Sequence, residues 1–322
     1  MHGNAVDIME TPEYSQSWLV ADIGATSSRC ALLHAPKFRL SEIRHYRNDD
    51  AADLQQILKH YLVATNASPA NCALAVAAPI DGDEICMMNR DWRFSRTEIS
   101  RQLGFERVKF INDFHAVGFA LPHFNDNDRA EVGKSTSYRR GNIAALGPGS
   151  GLGMSAWIED VSGGSVMSGE GGHITVSGRD ENEDAIILKF RERFGHCSAE
   201  RILSGPGIVA LHSAMHDIDA ETPEEISTAV DDPQCAATMN QFFKFLGSAA
   251  ADLALITGAF GGVYIAGGIV PACIDRIRNS EFRSRFDDKN RYGDYMRAIP
   301  TWVITDPTPG LTGLSVFVSQ GS

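Results

Sequence analysis

Three short glycine-rich segments carry the residue types that chemistry on phosphate needs. They read Asp22-Ile23-Gly24-Ala25-Thr26-Ser27-Ser28-Arg29, Gly147-Pro148-Gly149-Ser150-Gly151-Leu152-Gly153 and Ala266-Gly267-Gly268-Ile269-Val270-Pro271. Glycines let backbone N–H groups approach phosphate oxygens with no side chain in the way. Thr26 and Ser150 add hydroxyl donors at the turns, and Asp22 sits where a carboxylate can hold Mg2+ through water. Each segment alone reads first as a tight turn without a ligand. Three of them in one chain point to the phosphates of a nucleotide.

Two further sets of polar residues stand out. Asn112-Asp113 follows the apolar run VKFI, and ligands of open α/β sheets gather beyond the carboxyl ends of strands. A carboxylate there can accept the proton of a substrate hydroxyl during phosphoryl transfer; it can equally cap the next helix. Glu170-Gly171-Gly172-His173 and Glu200 supply acids and an imidazole of the kind that grip a polyol. Taken singly, His173 also reads as a structural histidine and Glu200 as a helix-start or ion-pair residue. Spacing alone does not bring 112–113, 170–173 and 200 together.

The elements that must position these residues alternate between strand and helix, the pattern of an α/β fold. Strands are expected at Trp18–Ile23, Arg29–His34, Phe38–Tyr46, Cys72–Ala78, Glu84–Asn89 and Val108–Asn112. Asn48 or Asp49 is expected to cap a helix that buries Leu54, Ile57, Leu58, Tyr61 and Leu62. Further helices are expected at about 95–104 and 114–121. Residues 123–141 are polar and mark a boundary near 122. Beyond it come strands at Asn142–Leu146 and through Ile158, helices near 181–194, 206–215, 222–230 and 233–258, strands at Gly262–Ala266 and Trp302–Thr305, and a helix from Pro309. Strand, glycine turn, strand occurs twice, at 18–34 and 142–158. That implies a duplicated architecture of two α/β domains flanking a catalytic cleft. The expected domains are 18–122 with 306–322, and 123–305, after a polar extension at 1–17.

Composition narrows the classes. Lys+Arg is 29 and Asp+Glu is 41, a net charge of −12. Binding to nucleic acid or anionic lipid runs on Lys and Arg, so neither partner is expected. The six cysteines show no paired zinc spacing and read as reduced thiols. Residues 1–17 contain no Lys or Arg, unlike a secretory or transit leader, and the chain is read as cytoplasmic. Gly133-Lys134-Ser135 lacks the earlier glycine of a P-loop, since Asp128 stands there. The 147–153 run has Leu152 where a dinucleotide fingerprint needs glycine, and it leads into a strand.

Together the strings WLVADIGATSSR, AAPIDGD, MNRDWRFS, FINDFHAVGFALP, GPGSGLG, GEGGH, SAERILSGPG, GGVYIAGGIVP and TPGLTG closely resemble the bacterial ATP-dependent glucokinase family, from about Trp18 to Phe317. That family belongs to the sugar kinase, Hsp70 and actin superfamily. The resemblance implies two ribonuclease-H-like domains that close around sugar and nucleotide, often in a homodimer. It implies transfer of the γ-phosphoryl group of Mg-ATP to the 6-hydroxyl of D-glucose, the entry step of glycolysis. It makes Asp113 the general base, and Asn112, Glu170, His173 and Glu200 the sugar-binding residues. It gives Asp22, Gly24, Ala25 and Thr26 to the β/γ-phosphates and Mg2+, Gly149, Ser150 and Gly151 to a second phosphate site, and Gly267 and Gly268 to the adenosine. The first loop of the family usually reads D-x-G-G-T-N; here Ala25 and Ser27 replace the second glycine and the asparagine. The alternatives are a kinase of another hexose or amino sugar, or a sugar sensor with weak turnover.

Overall fold

The computed structural model describes residues 17–87, 90–161, 163–218 and 222–320. The chain forms two compact units, one of residues up to Ala116 together with Gly310 onward, the other Val117–Pro309. From the sequence, the first break is expected near 122 and the return near 306. The polar extension lies almost wholly outside the described residues.

In the first unit, β1 (Ser17–Ile23), β2 (Ser27–His34) and β3 (Arg39–Arg47) run as an antiparallel meander. The helix α1 (Leu54–Thr65) follows, then β4 (Asn71–Val76), β5 (Glu84–Cys86), β6 (Arg93–Ser95), α2 (Arg96–Leu103) and β7 (Arg107–Asn112). The sheet order is β3-β2-β1-β4-β7, with β4 and β7 parallel to β1. The apolar run NCALAV is buried almost throughout because β4 has strands on both sides and a core above it. The strand expected over Glu84–Asn89 stops at Cys86, and Asn89 lies outside the described residues.

The cap of α1 corrects an expectation. Asp53 caps the helix, accepting from Gln56 N at 2.8 Å. Asn48 is fully buried instead and serves the turn after β1. The helix buries Leu54, Ile57, Leu58 and Tyr61, each worth roughly 1.5–3 kcal/mol. This face docks α1 and leaves the opposite face to solvent.

The helix α3 (Asp113–Ala120) leads into the second unit. There β8 (Arg129–Glu131), β9 (Ile143–Pro148), β10 (Leu152–Ile158) and β11 (Ser165–Gly169) precede a helical run. The run comprises α4 (Glu181–Phe194), α5 (Ala199–Ile202), α6 (Gly205–His216), α7 (Pro223–Thr228) and α8 (Pro233–Thr257). Then come β12 (Gly262–Ile265), the short helices α9 (Ile274–Arg278), α10 (Phe282–Asp287) and α11 (Gly293–Arg297), β13 (Thr301–Ile304) and α12 (Pro309–Gln320). The sheet order is β11-β10-β9-β12-β13-β8. Its first five strands repeat the plan of the first unit: an antiparallel meander, then two strands parallel to its first member. This repetition is what the two strand–turn–strand segments imply. The strands β8 and β11 have no counterpart in the sequence reading. Both are short edge strands of polar or mixed composition, with no sustained alternation to betray them. Thr222 and Glu225 form a reciprocal cap of α7.

The pairing of α6 with α8 carries a titratable contact. His212 Nδ1 and His216 Nε2 lie 2.9 and 3.1 Å from Thr238 Oγ1, and the two rings are 5.0 Å apart. Burial, and then the neighbouring His216, hold His212 below the usual imidazole range, with Asp232 opposing. An unfolded imidazole takes up its proton near pH ~6.5. The folded state takes it up only at lower pH. The stability tied to neutral His212 is therefore present above that value and lost as pH falls below it. Thermal unfolding at about pH 7.5 and 5.5 should show a larger drop in Tm for the parent than for His212→Gln.

Candidate active site

Register fixes the first half of the site. Ile23 pairs with Val76, and Val76 with Asn112. The carboxyl ends of three parallel strands therefore lie in line. At ~4.8 Å between neighbouring strands, the turn after β1 and the Asn112-Asp113 pair stand about 10 Å apart on one sheet edge.

The turn is held from behind. Gly24 N donates to Ser27 O at 3.0 Å, closing the hairpin. Asn48 Nδ2 donates to the carbonyls of Gly24 and Ala25 at 2.8 and 3.3 Å, and Asn48 Oδ1 accepts from Ser28 Oγ at 2.7 Å. Arg90, stacked 4.4 Å from the Trp92 ring, adds donations to Ala25 O at 3.3 Å and Asn48 O at 2.7 Å. In a trans peptide the carbonyl and the next N–H point in opposite directions. Tying back the carbonyls of residues 24 and 25 therefore turns the N–H groups of Ala25 and Thr26 outward, where an anion can meet them. Ala25 is absent from the left-handed backbone positions of the described residues, so alanine sits here without strain.

Asp22 lies one residue before the end of β1 with its side chain 16% exposed, 3.6 Å from Arg29 Nη1. Burial pushes its carboxyl above the usual range, and Arg29 partly offsets this. The first turn of α12 closes over it: a Cβ on Gly310 would stand 2.7 Å from Asp22 Cγ. Among the described residues no group of three or more acidic, His or Cys side chains could hold a metal ion. A single carboxylate suits Mg2+ that arrives on a nucleotide, since this ion keeps most of its waters and takes only one or two protein carboxylates.

Asn112 and Asp113 open α3. Asn112 Oδ1 accepts from Phe114 N and His115 N at 2.9 and 3.2 Å, and its Nδ2 approaches Ala78 O at 3.4 Å. Asp113 Oδ1 accepts from Phe114 N at 2.9 Å. These bonds are those of the capping reading. Asn112 does the capping, and the Asp113 carboxylate is steadied in the first helical turn.

In the second unit three separated segments converge on the start of β10. Gly149 N donates to Gly151 O, and Gly205 N to Gly149 O, both at 2.8 Å. Leu152 N donates to Glu200 Oε2 at 2.9 Å. A Cβ on Gly172 would stand 2.2 Å from Leu152 O, and one on Gly267 (φ +84°) 2.2 Å from Pro148 O. Only glycine permits these backbone approaches. Ala199 N donates to Ile174 O at 2.9 Å, so the 170–173 and 198–201 segments are joined. Glu170, His173 and Ser150 are exposed, and Gly268 faces open space. Glu200, expected from sequence to be a sugar ligand, is seen here bracing the glycine loop at the start of β10. The structure brings Glu170, His173, Glu200, the 149–151 loop and Gly267 together in this unit. Asp22, the 24–26 turn, Asn112 and Asp113 belong to the first.

Asn48 and Arg90 escaped the sequence reading. An asparagine before a helix reads as its cap, and nothing in spacing links Arg90 to residue 25.

Two ribonuclease-H-like sheets, each an antiparallel meander with a glycine-rich hairpin turn followed by two parallel strands, define an actin-like sugar kinase fold. The glucokinase family model matches residues 19–321. A glucokinase of Aromatoleum aromaticum is 39% identical over 312 residues, 94% of each chain. A crystal structure of glucokinase from an Antarctic psychrotroph superposes with a TM-score of 0.81 at 33% identity, covering 95% of this chain and 99% of that one. A ROK family glucokinase from Streptomyces griseus, in complex with glucose and AMPPNP, shares the fold at 18% identity and a TM-score of 0.61, covering 94% of this chain and 100% of that one. The chain belongs to the glucokinase family, whose members are ATP-dependent hexose kinases.

Asn48→Ala should loosen the 24–26 turn and leave the buried Ser28 hydroxyl without its acceptor. The expected results are a stability loss of about 1–3 kcal/mol in thermal or urea unfolding and a KM for ATP raised roughly tenfold with a smaller change in kcat.

Proposed function

We propose that the protein transfers the γ-phosphoryl group of Mg-ATP to the 6-hydroxyl of D-glucose, giving glucose 6-phosphate and ADP, with Asp113 as the general base. The observation that carries this reading is the register of β1, β4 and β7. It sets a carboxylate about two strand spacings from a turn whose N–H groups face outward, which supports a phosphate there. That separation suits a proton acceptor at one end of a phosphoryl group in flight and N–H donors at the other.

Asp113 takes the 6-hydroxyl proton as that oxygen bonds to the γ-phosphorus. The bond from phosphorus to the β,γ-bridging oxygen breaks, and ADP leaves with the electron pair. Such transfers pass through loose transition states, so positioning and charge stabilisation supply most of the catalysis. The N–H groups of Ala25 and Thr26 and the Thr26 hydroxyl meet the β/γ-phosphates. Gly149, Ser150 and Gly151 form the second phosphate contact, and Gly267 and Gly268 leave room for the adenosine. Asp22 would hold Mg2+ through water; the bound ion neutralises charge on the phosphate oxygens. Asn112, Glu170, His173 and Glu200 read the sugar hydroxyls. The same reading carries a cytoplasmic enzyme, where ATP is available, and a homodimer. Among the described residues no helix is long and apolar enough to cross a membrane.

The test joins a substrate panel to one variant. ADP release with glucose should exceed that with mannose, fructose or N-acetylglucosamine. Asp113→Asn should keep glucose binding by calorimetry and lower kcat by about 10²–10⁴. Near-parent turnover in that variant would remove Asp113 as the base. A preference for another sugar would change the substrate and leave the rest standing.

A further inference from the structure

The exposed face of α1 and the edge strand β3 enclose a second hollow, within the first unit and away from the residues assigned above. Its volume is about 580 Å³, and it is lined chiefly by Arg44, His45 and Tyr46 from the strand and Lys59, His60 and Val63 from the helix. The chain as a whole carries −12, yet this surface gathers an Arg, a Lys and two His from two elements. Glu42 is the carboxylate beside them, 3.4 Å from Arg44 Nη2, with both side chains open to water. An exposed pair of this kind is weak and can be displaced by a better anion. The floor is apolar: Val63 is 75% exposed, and the half-buried Tyr46 packs edge-on against Tyr61 with ring centres 6.5 Å apart. Basic groups at the rim over an apolar floor fit a phosphate carried on an organic body.

We propose that this groove is a binding site for a small organic phosphate, separate from the phosphoryl-transfer site. The phosphate would rest on Arg44 and Lys59, and the body would lie on Tyr46 and Val63. The strand also gives the site a route to catalysis. Cys30, Arg29 and Ser28 pair with Arg44, His45 and Tyr46. Arg29 is the ion partner of Asp22, and Asn48, which braces the nucleotide turn, lies two residues beyond Tyr46. A ligand in the groove therefore bears on the support of the turn. This coupling, unlike the binding itself, rests on the phosphoryl-transfer reading given above.

Three probes separate the sources of the phosphate: a hexose bisphosphate, guanosine monophosphate and inorganic phosphate. Acetylation of Lys59, followed by mass spectrometry, reports occupancy of the groove whatever happens at the transfer site. The expected result is saturable protection of Lys59 by at least one organic probe below about 1 mM at ~0.1 M salt. Inorganic phosphate should bind roughly tenfold or more weakly. The exposed His60→Glu variant, checked for an unchanged Tm, should raise the half-protecting concentration about tenfold. No protection by any probe, or equal protection in His60→Glu, overturns the site. Equal binding of inorganic phosphate overturns the role of the apolar floor. The KM for ATP should shift at saturating probe in the parent and not in His60→Glu; an unmoved KM alongside Lys59 protection overturns the coupling alone.

Discussion

A polyanionic nucleotide must be held by a chain that is itself strongly anionic, and backbone N–H groups are the means that adds no further lysine or arginine. Much of the site follows from that constraint. Donors on the main chain reach a phosphate only where side chains are absent or folded away. Turns that expose N–H groups hold still only when their carbonyls are engaged elsewhere. The first unit meets the second requirement through the buried amide of Asn48 and the stacked guanidinium of Arg90. Much of the architecture around residues 24–26 exists to keep two peptide planes facing one way.

The parallel strands turn that local device into a site. A strand pair fixes spacing as rigidly as any loop can, because one residue of slip would move every buried side chain of NCALAV to the wrong face. The separation of turn and carboxylate is therefore set by the core of the first unit, not by the flexibility of either group. In the second unit the same role falls to direct backbone approach. Gly172 lies against the Leu152 carbonyl and Gly267 against that of Pro148, so the 170–173 turn and the 149–151 loop are positioned by contact at van der Waals limits.

Most of this was legible in the sequence wherever a residue type had few other uses. Repeated strand–glycine–strand segments announced the duplicated sheet, and long apolar or capped runs announced β4, α4, α7 and α8. Asp113 stood out because it follows the apolar run VKFI at a strand's carboxyl end, and the 170–173 set because it places an acid and an imidazole around two glycines. What stayed hidden depended on contacts made across sequence distance. Asn48 passed for a cap because the pairing of β2 with β3, which carries it to the turn, has no local signature. The brace that Glu200 gives the loop stayed hidden because its bond to Leu152 N spans 48 positions. The short edge strands β8 and β11 lacked the periodicity that separates a strand from a loop.

The two turns also differ in how they are supported, and this accounts for where the chain departs from the usual D-x-G-G-T-N pattern. In the first unit, side chains do the bracing and the backbone at residue 25 lies outside the left-handed region. A methyl group there meets no conformational objection, so Ala25 is tolerated. In the second unit backbone-to-backbone contacts join the Glu200 carboxylate in bracing the loop. Gly205 N reaches Gly149 O at 2.8 Å, and Gly267 adopts a φ of +84° beside the Pro148 carbonyl. Any Cβ at residue 267 would both strain the chain and strike that carbonyl. The first loop can therefore carry alanine at residue 25 while keeping its outward N–H groups; nothing in the structure explains Ser27 in place of asparagine. Around the second loop only glycine fits at residues 172 and 267, where a Cβ would strike a carbonyl.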